Sequence, residues 1–298
     1  MGSTDAPPRA AALVPPLSIS DAEFHRFRAL VHAETGIALS ESKRPMVTSR
    51  LSRRLRFWGY TSFGEYWEHL HRWDPGGDEL VRLINAITTN KTDFFREAGH
   101  FECLRSTVLP ELAARRGPRR LRIWSAGCSS GQEAYSIAAT VLAGLTRPAG
   151  WDIRILASDI DTDVLAAGEA AVYPVDGTAS VPAALRAQLF EASRSGRTVR
   201  VRDAVRQLVV FRRINLCAGP WPIRTLFDCI FCRNVVIYFD KDLQTRLVGR
   251  LAEYLQPGGY LFLGHSESLF GVRAGLHHVA NTVYRKPEAK ADGGKGRA

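Results

Sequence analysis

Cysteine is scarce in this chain. Cys103, Cys128, Cys217, Cys229 and Cys232 are its five cysteines, too few and too scattered for a disulfide scaffold, and a reducing cytoplasm is expected. No apolar run approaches the ~20 residues of a membrane-spanning helix, so no insertion into a bilayer is expected. The opening MGSTDAPPRAAALVPP lacks a basic-then-apolar secretory design, and Ala6 stands where a myristoylation motif needs Ser or Thr. There is no G-x-x-x-x-G-K-[ST] loop, no G-x-G-x-x-G fingerprint and no His/Cys/Asp cluster at metal-ligand spacing. Cys229-x-x-Cys232 invites a zinc or redox reading. It lies in the strand-like run FDCIFCRNVVIYF, whose odd spacing sends the two thiols to opposite faces, and two small buried residues are expected instead. His265-Ser266-Glu267 cannot form a hydrolase triad, because neighbours in sequence cannot converge on one reacting atom; a satisfied structural histidine is expected. Acidic residues are also in deficit: 30 against 40 basic ones, a net charge of +10, which favours an acidic partner.

What is present reads as two units. Residues 1–17 are expected to be a flexible tail and 287–298 a second one, rich in Lys, Gly and Ala. Residues 18–87 read as a small helical domain. Its first helix, within 18–33, carries the stripe Phe24, Phe27, Leu30 and Val31, is capped by Ser20 or Asp21 and stops at Thr35-Gly36. A second helix, 45–58, sets Val47, Leu51, Leu55 and Trp58 on one face. Its other side is basic: from Lys43 to Arg56 there are six basic residues and no acidic one, which makes a docking surface of Arg50, Arg53, Arg54 and Arg56. Helices over 63–73 and 78–87 complete the unit. The linker 88–98 carries Phe94-Phe95, a pair that must pack against something.

Residues 99–286 alternate helix and strand: a helix over 101–114, strands over 152–158, 207–214, 227–235, 260–264 and 277–286, a turn at 256–259, and helices over 162–170 and 240–255. Alternation with buried β-runs means an α/β fold with a mainly parallel sheet. The stretch 173–206 is an inserted small β subdomain. The organising stretch is LRIWSAGCSSGQEAYS, 121–136: a β-run, a corner at Gly127 and Gly131, then a helix from Gln132. Such a corner lets backbone approach a ligand at a helix N-terminus. Without a pyrophosphate fingerprint it suits a smaller cofactor such as S-adenosylmethionine. Ligands of open α/β sheets sit beyond the carboxyl ends of the strands, where Gly127, Asp159, Asn215 and Asn234 fall. Asp159 is apt for two ribose hydroxyls, with Asp161 as reserve or as a plain helix N-cap. Asn215 is placed to pair with an adenine edge or to be a satisfied loop residue.

Six segments carry a sharper resemblance: ITTNKTDFFRE (87–97), WSAGCSSGQEAYSIA (124–138), ASDID (157–161), INL (214–216), FDCIFCRNVVIYFD (227–240) and PGGYLFLGHSES (257–268). From Ser18 to Lys286 the chain resembles the chemotaxis receptor methyltransferases (CheR type), protein-glutamate O-methyltransferases. The resemblance implies a Rossmann-like methyltransferase sheet behind an all-helical domain. It implies S-adenosyl-L-methionine as cofactor, S-adenosyl-L-homocysteine as product and the cytoplasmic helical bundle of chemoreceptors as partner. It implies that Asn90, Thr92 and Arg96 reach over the cofactor, that Glu133 meets its amino group, that Asp159 holds the ribose and that Asn215 and Leu216 frame the adenine. Cys232, Arg233 and Asn234 would line the site, and Arg96 and Tyr238 would serve methyl transfer.

Two departures stand out. Gln132-Glu133-Ala134 replaces the family's two Glu and Pro, a loss tolerable at a first helical turn. The inserted hairpin EASRSGRTVRVR (191–202) is short, with a single Gly, where relatives carry a glycine-rich loop that tethers a receptor's C-terminal peptide; no tether is expected. A monomer is expected. The alternatives are methylation of another protein or of nucleic acid, or a catalytically silent cofactor-binding module. Against nucleic acid stand the missing stacking platform and the missing N-P-P-Y or D-P-P-Y motif, in whose place stands Asn234-Val-Val-Ile-Tyr238.

Overall fold

The computed structural model describes residues 17–115, 117–267 and 275–288. Both expected tails lie outside these residues for nearly all their length. Four helices form the first unit: α1 (Asp21–Thr35), α2 (Arg44–Trp58), α3 (Phe63–Arg72) and α4 (Asp78–Ile87). Local chemistry sets their ends. Ser20 and Ser62 each make a reciprocal capping box with the glutamate three residues on, Glu23 and Glu65. Gly36 and Gly59 close α1 and α2 in the left-handed region, at φ 70° and 75°. Phe24, Phe27, Leu51, Leu55, Phe63 and Tyr66 are buried together as a separate core.

The second unit opens with α5 (Gly99–Cys103), which runs through a π-helical turn over Leu104–Val108 into α6 (Leu109–Ala114). A parallel array follows: β1 (Arg120–Ala126), α7 (Gln132–Gly144), β2 (Asp152–Asp159) and α8 (Thr162–Ala170). The inserted subdomain holds β3 (Val172–Pro174), α9 (Ala183–Leu189), β4 (Phe190–Ala192), β5 (Thr198–Val201) and the short α10 (Asp203–Arg206). Then come β6 (Val209–Arg213), β7 (Phe227–Cys232), α11 (Lys241–Glu253), β8 (Leu255–Leu263), β9 (His277–Ala280) and β10 (Val283–Arg285). The main sheet runs β6-β2-β1-β7-β8-β10-β9, and β3-β5-β4 form a separate antiparallel sheet. The first five strands of the main sheet are parallel; β10 and β9 are antiparallel.

Two details differ from the sequence reading. The expected turn at 256–259 lies inside β8, where the register against β7 shifts between Phe227 and Cys229. A bulge there absorbs Pro257, which has no N–H for a regular ladder. The expected single last strand is a hairpin, because Asn281 turns the chain at φ 44°, a conformation Asn tolerates better than most residues.

The sheet buries apolar side chains on both faces, one core with α5, α6 and α7 and the other with α11. Cys229 belongs to the first and Cys232 to the second, as the odd spacing requires. The linker phenylalanines are buried. Phe94 makes edge contacts with Tyr173 and Phe190 of the inserted subdomain, at 4.9 and 5.2 Å. Phe95 packs on Phe101 at 5.1 Å. The linker is therefore pinned to the sheet domain, and it carries Asn90, Thr92 and Arg96 past the strand ends.

Candidate active site

A cavity of about 240 Å³ lies beyond the carboxyl ends of β1, β2, β6 and β7, roofed by the linker and by residues of the helical domain. Its shape starts with the corner after β1. Gly127 has φ 82°, and a Cβ there would overlap the side chain of Val235. The Gly127 and Cys128 N–H groups donate to the Ser158 carbonyl at 2.8 and 2.9 Å. Ser129, itself at φ 50°, donates its N–H to Asp159 Oδ2 at 2.8 Å and its hydroxyl to the Asn90 carbonyl at 2.9 Å. The corner thus ties β1 to the acid ending β2 and to the linker above.

Asp159 lines the cavity and accepts a second N–H, from Asp161, at 3.1 Å. A carboxylate has about four lone-pair sites, so this one keeps capacity for a ligand. Burial pushes its carboxyl above the usual range, against the pull of those N–H donors. Asp161 is the N-cap of α8, accepting from the Asp163 and Val164 N–H groups, and its other oxygen accepts from Thr88 and from the Asn90 amide at 2.8 and 2.6 Å. Asn90 is oriented by this acid and lines the cavity, as does Thr92.

The opposite wall is built on Arg233. Its guanidinium donates to Glu133 Oε2 at 3.1 Å, to Glu97 Oε2 at 2.9 Å and to the Arg96 carbonyl. It stacks over Phe101 at 5.5 Å. Glu133 also accepts from Ser125 at 2.7 Å. Burial raises the Glu133 carboxyl despite Arg233. Burial works to raise Glu97 too, but Arg233, the Asn234 amide and the His265 N–H together hold it below the ordinary range. Asn234 stands at φ 58°, a strained turn held by its N–H to Glu267 at 2.7 Å and its amide to Glu97 at 3.2 Å. Arg96 lines the cavity, with one guanidinium N–H on the Lys91 carbonyl at 3.0 Å. Tyr238 lines it as well; its backbone carbonyl accepts from Ala38 of the helical domain at 2.9 Å.

Several sequence expectations are corrected here. Cys232 is buried in the sheet core and does not line the cavity; desolvation holds its thiol well above the ordinary value. Asn215 lines the cavity as expected and has a further role: its amide N–H donates to the Glu34 carbonyl at 2.6 Å and its amide oxygen accepts from the Cys217 N–H at 2.9 Å. It joins the two domains, and Leu216 beside it supplies apolar wall. Arg50 donates to the Ile87 and Thr88 carbonyls at 2.7 and 2.6 Å, satisfying the end of α4. Arg54 pairs with the buried Glu79, Nε to Oε1 at 2.8 Å. Only Arg53 and Arg56 of the four project as exposed cations without a partner among the described residues. The absence of acids within α2 was misleading, because the acids come from elsewhere: Asp21 and Glu41 for Arg44, Glu79 for Arg54. His265 is half-exposed, its Nε2 3.8 Å from Glu97 Oε2 and its ring 5.1 Å from that of His100. Sequence reasoning also missed Glu97 and Glu267, although each sits inside a segment it singled out.

The carboxylates of Asp93, Glu133 and Asp159 line the cavity, with apolar wall from Ile160, Ile214 and Leu216. These fit a ligand with a ribose, a purine and a positive charge, and the residues present fit S-adenosylmethionine. The fold and the site define an S-adenosylmethionine-dependent methyltransferase. The chain belongs to the CheR methyltransferase family: the family's SAM binding domain matches residues 90–285 and its all-alpha domain matches residues 22–88. It is 45% identical over 269 residues to chemotaxis protein methyltransferase 2 of Pseudomonas aeruginosa, covering 88% of this chain and 92% of that one. It is 40% identical over 271 residues to the chemotaxis protein methyltransferase of Escherichia coli, covering 90% and 92%.

Proposed function

We propose that the chain esterifies glutamate side chains on the cytoplasmic helical bundle of chemoreceptors, tuning their signalling for adaptation. The observation that carries this reading is the charge at the cavity. Lys43, Lys91 and Arg96 line it, and none has a carboxylate partner among the described residues. Cations without a carboxylate partner at a cavity favour an anionic acceptor.

When bound, S-adenosylmethionine supplies a methyl group on a sulfonium, an excellent leaving group. An acceptor carboxylate is ionised at neutral pH, so the chain needs no general base. Its task is alignment and exclusion of water. Asp159 receives the ribose hydroxyls, Glu133 the amino group, and Leu216 with Ile214 the adenine face. Arg233 holds Glu133 and Glu97 in place. Arg96 and the Tyr238 hydroxyl orient the incoming carboxylate, and the linker 88–98, pinned by Phe94 and Phe95, covers the reacting groups. Lys43, Arg53 and Arg56 steer an acidic helix towards the cavity mouth. The inserted hairpin turns tightly, with the Ser193 N–H on the Thr198 carbonyl at 3.1 Å; we infer recognition without a peptide tether, by a monomer in the cytoplasm.

The test is transfer of radiolabelled methyl to receptor cytoplasmic fragments, then base treatment. Label on the receptor that leaves as methanol is the expected result. Cofactor binding with no base-labile label on any receptor fragment would overturn the acceptor assignment.

A further inference from the structure

Behind Arg233, away from the corner glycines, three side chains meet whose sequence positions give no hint of it. Glu97 Oε2 lies 3.5 Å from His100 Nδ1 and 3.8 Å from His265 Nε2. One donor atom from each residue falls within 4.8 Å of the others. Three different segments supply them: the linker, α5, and the turn after β8.

His100 is fully buried, and its Nδ1 has no hydrogen-bond partner among the described residues. Its tautomer can be read from its other side. The Thr282 hydroxyl donates to the Leu263 carbonyl at 2.7 Å, so the Thr282 oxygen is left to accept from His100 Nε2–H at 3.1 Å. Nδ1 therefore carries a bare lone pair aimed at a carboxylate oxygen. Glu97 Oε2 already accepts from the Arg233 guanidinium at 2.9 Å, and a further cation beside it would satisfy the orphaned His100 nitrogen. The surrounding charge agrees: the Arg233 guanidinium is shared between the carboxylates of Glu97 and Glu133, and Glu267 accepts from backbone N–H groups of the neighbouring turn.

We propose that Glu97 Oε2, His100 Nδ1 and His265 Nε2 bind a divalent transition-metal ion of the zinc class, with an open fourth position towards solvent. Ligand bonds to zinc of about 2.0–2.2 Å place tetrahedral donors ~3.4 Å apart, close to the two separations from Glu97. The remaining contraction falls to His265, whose side chain is 54% exposed and free to swing. The Thr282 hydroxyl behind His100 is the kind of outer partner that orients a metal-bound imidazole. Glu97 also holds Arg233 and Asn234, so an ion here would brace the wall of the cofactor cavity. It would bind as a structural or regulatory ion, since methyl transfer to a carboxylate calls for none.

The experiment is titration of the metal-free, untagged full chain with Zn²⁺ by competition against a chromophoric chelator, repeated on His265→Ala and His100→Gln. Co²⁺ spectra are recorded on the same proteins. One Zn²⁺ per chain is expected, weakened at least tenfold by His265→Ala, with cobalt bands of a low-coordinate nitrogen and oxygen site and no thiolate charge transfer. His265 is half-exposed, so its alanine variant is expected to fold even if His100→Gln does not. Equal affinity in wild type and His265→Ala, absence of stoichiometric uptake, or a thiolate band would each overturn the proposal.

Discussion

Two buried ion pairs, one in each domain, use the same chemistry to opposite ends. In the helical domain Arg54 faces Glu79, which also accepts from the Tyr66 hydroxyl at 2.7 Å and caps nothing beyond its own helix bundle. Desolvation drives the Tyr66 hydroxyl's pKa far up, so it stays a donor. The pair is closed, and it holds α2 against α4. In the sheet domain Arg233 faces Glu97 and Glu133, yet its own Nε and the neighbouring His100 Nδ1 are left without partners among the described residues. That cluster is open, and it stands in the wall of a cavity. A buried pair is weak evidence for net stability. The difference between closed and open is what marks one as scaffold and the other as machinery.

The comparison can be broken from either side. Arg233→Met should have the largest effect. It strands Glu97 and Glu133 and frees the Asn234 turn, so methyl transfer should fall by ~100-fold or more, as misplacement near 1 Å does; initial rates at saturating cofactor would measure it. Glu79→Ala should cost about 1–3 kcal/mol of stability by leaving the buried Tyr66 hydroxyl and the part-buried Arg54 without their acceptor, seen as a lower midpoint in urea. If it also weakened cofactor binding in calorimetry, the separation of scaffold from site would be wrong.

Glu133→Gln sharpens the contrast. It should weaken cofactor binding by roughly tenfold, the loss of one charged contact, without destabilising the free protein. The pH sign follows from the raised carboxyl. Its folded pKa lies above its unfolded value, so its proton stabilises the fold at low pH, and that contribution is lost as pH rises through the folded pKa. The glutamine variant should therefore show a flatter stability profile across that window. A variant as pH-sensitive as wild type would show that Glu133 is not the desolvated group. Arg53→Glu with Arg56→Glu should be smallest: a few-fold slower association with receptor, most evident at low salt, with cofactor affinity unchanged.

Much of the fold was legible because it is written in local chemistry. Capping serines, left-handed glycines and alternating β-runs act over three or four residues, and they placed the four helices, the corner at Gly127 and the acid ending β2. The buried phenylalanine pair in the linker was legible for a related reason, since adjacent aromatics cannot stay in water. The illegible parts were matters of partnership. Arg50 and Arg54 read as free cations on a basic face, but the groups that occupy them lie 37 and 25 residues further along the chain. Asn215 lines the cavity where the sequence put it, but the carbonyl that its amide serves is 181 residues away.

The sequence by itself therefore determined the element types, the parallel sheet, the position of a cofactor corner and, through six motifs, the family. Only the tertiary structure decided which polar groups were spent and which were left over. Glu97 and His265 are 168 residues apart, yet the His265 N–H donates to the Glu97 carboxylate at 3.2 Å. Whether a polar side chain is satisfied is a property of everything packed around it, and no spacing along one segment encodes that.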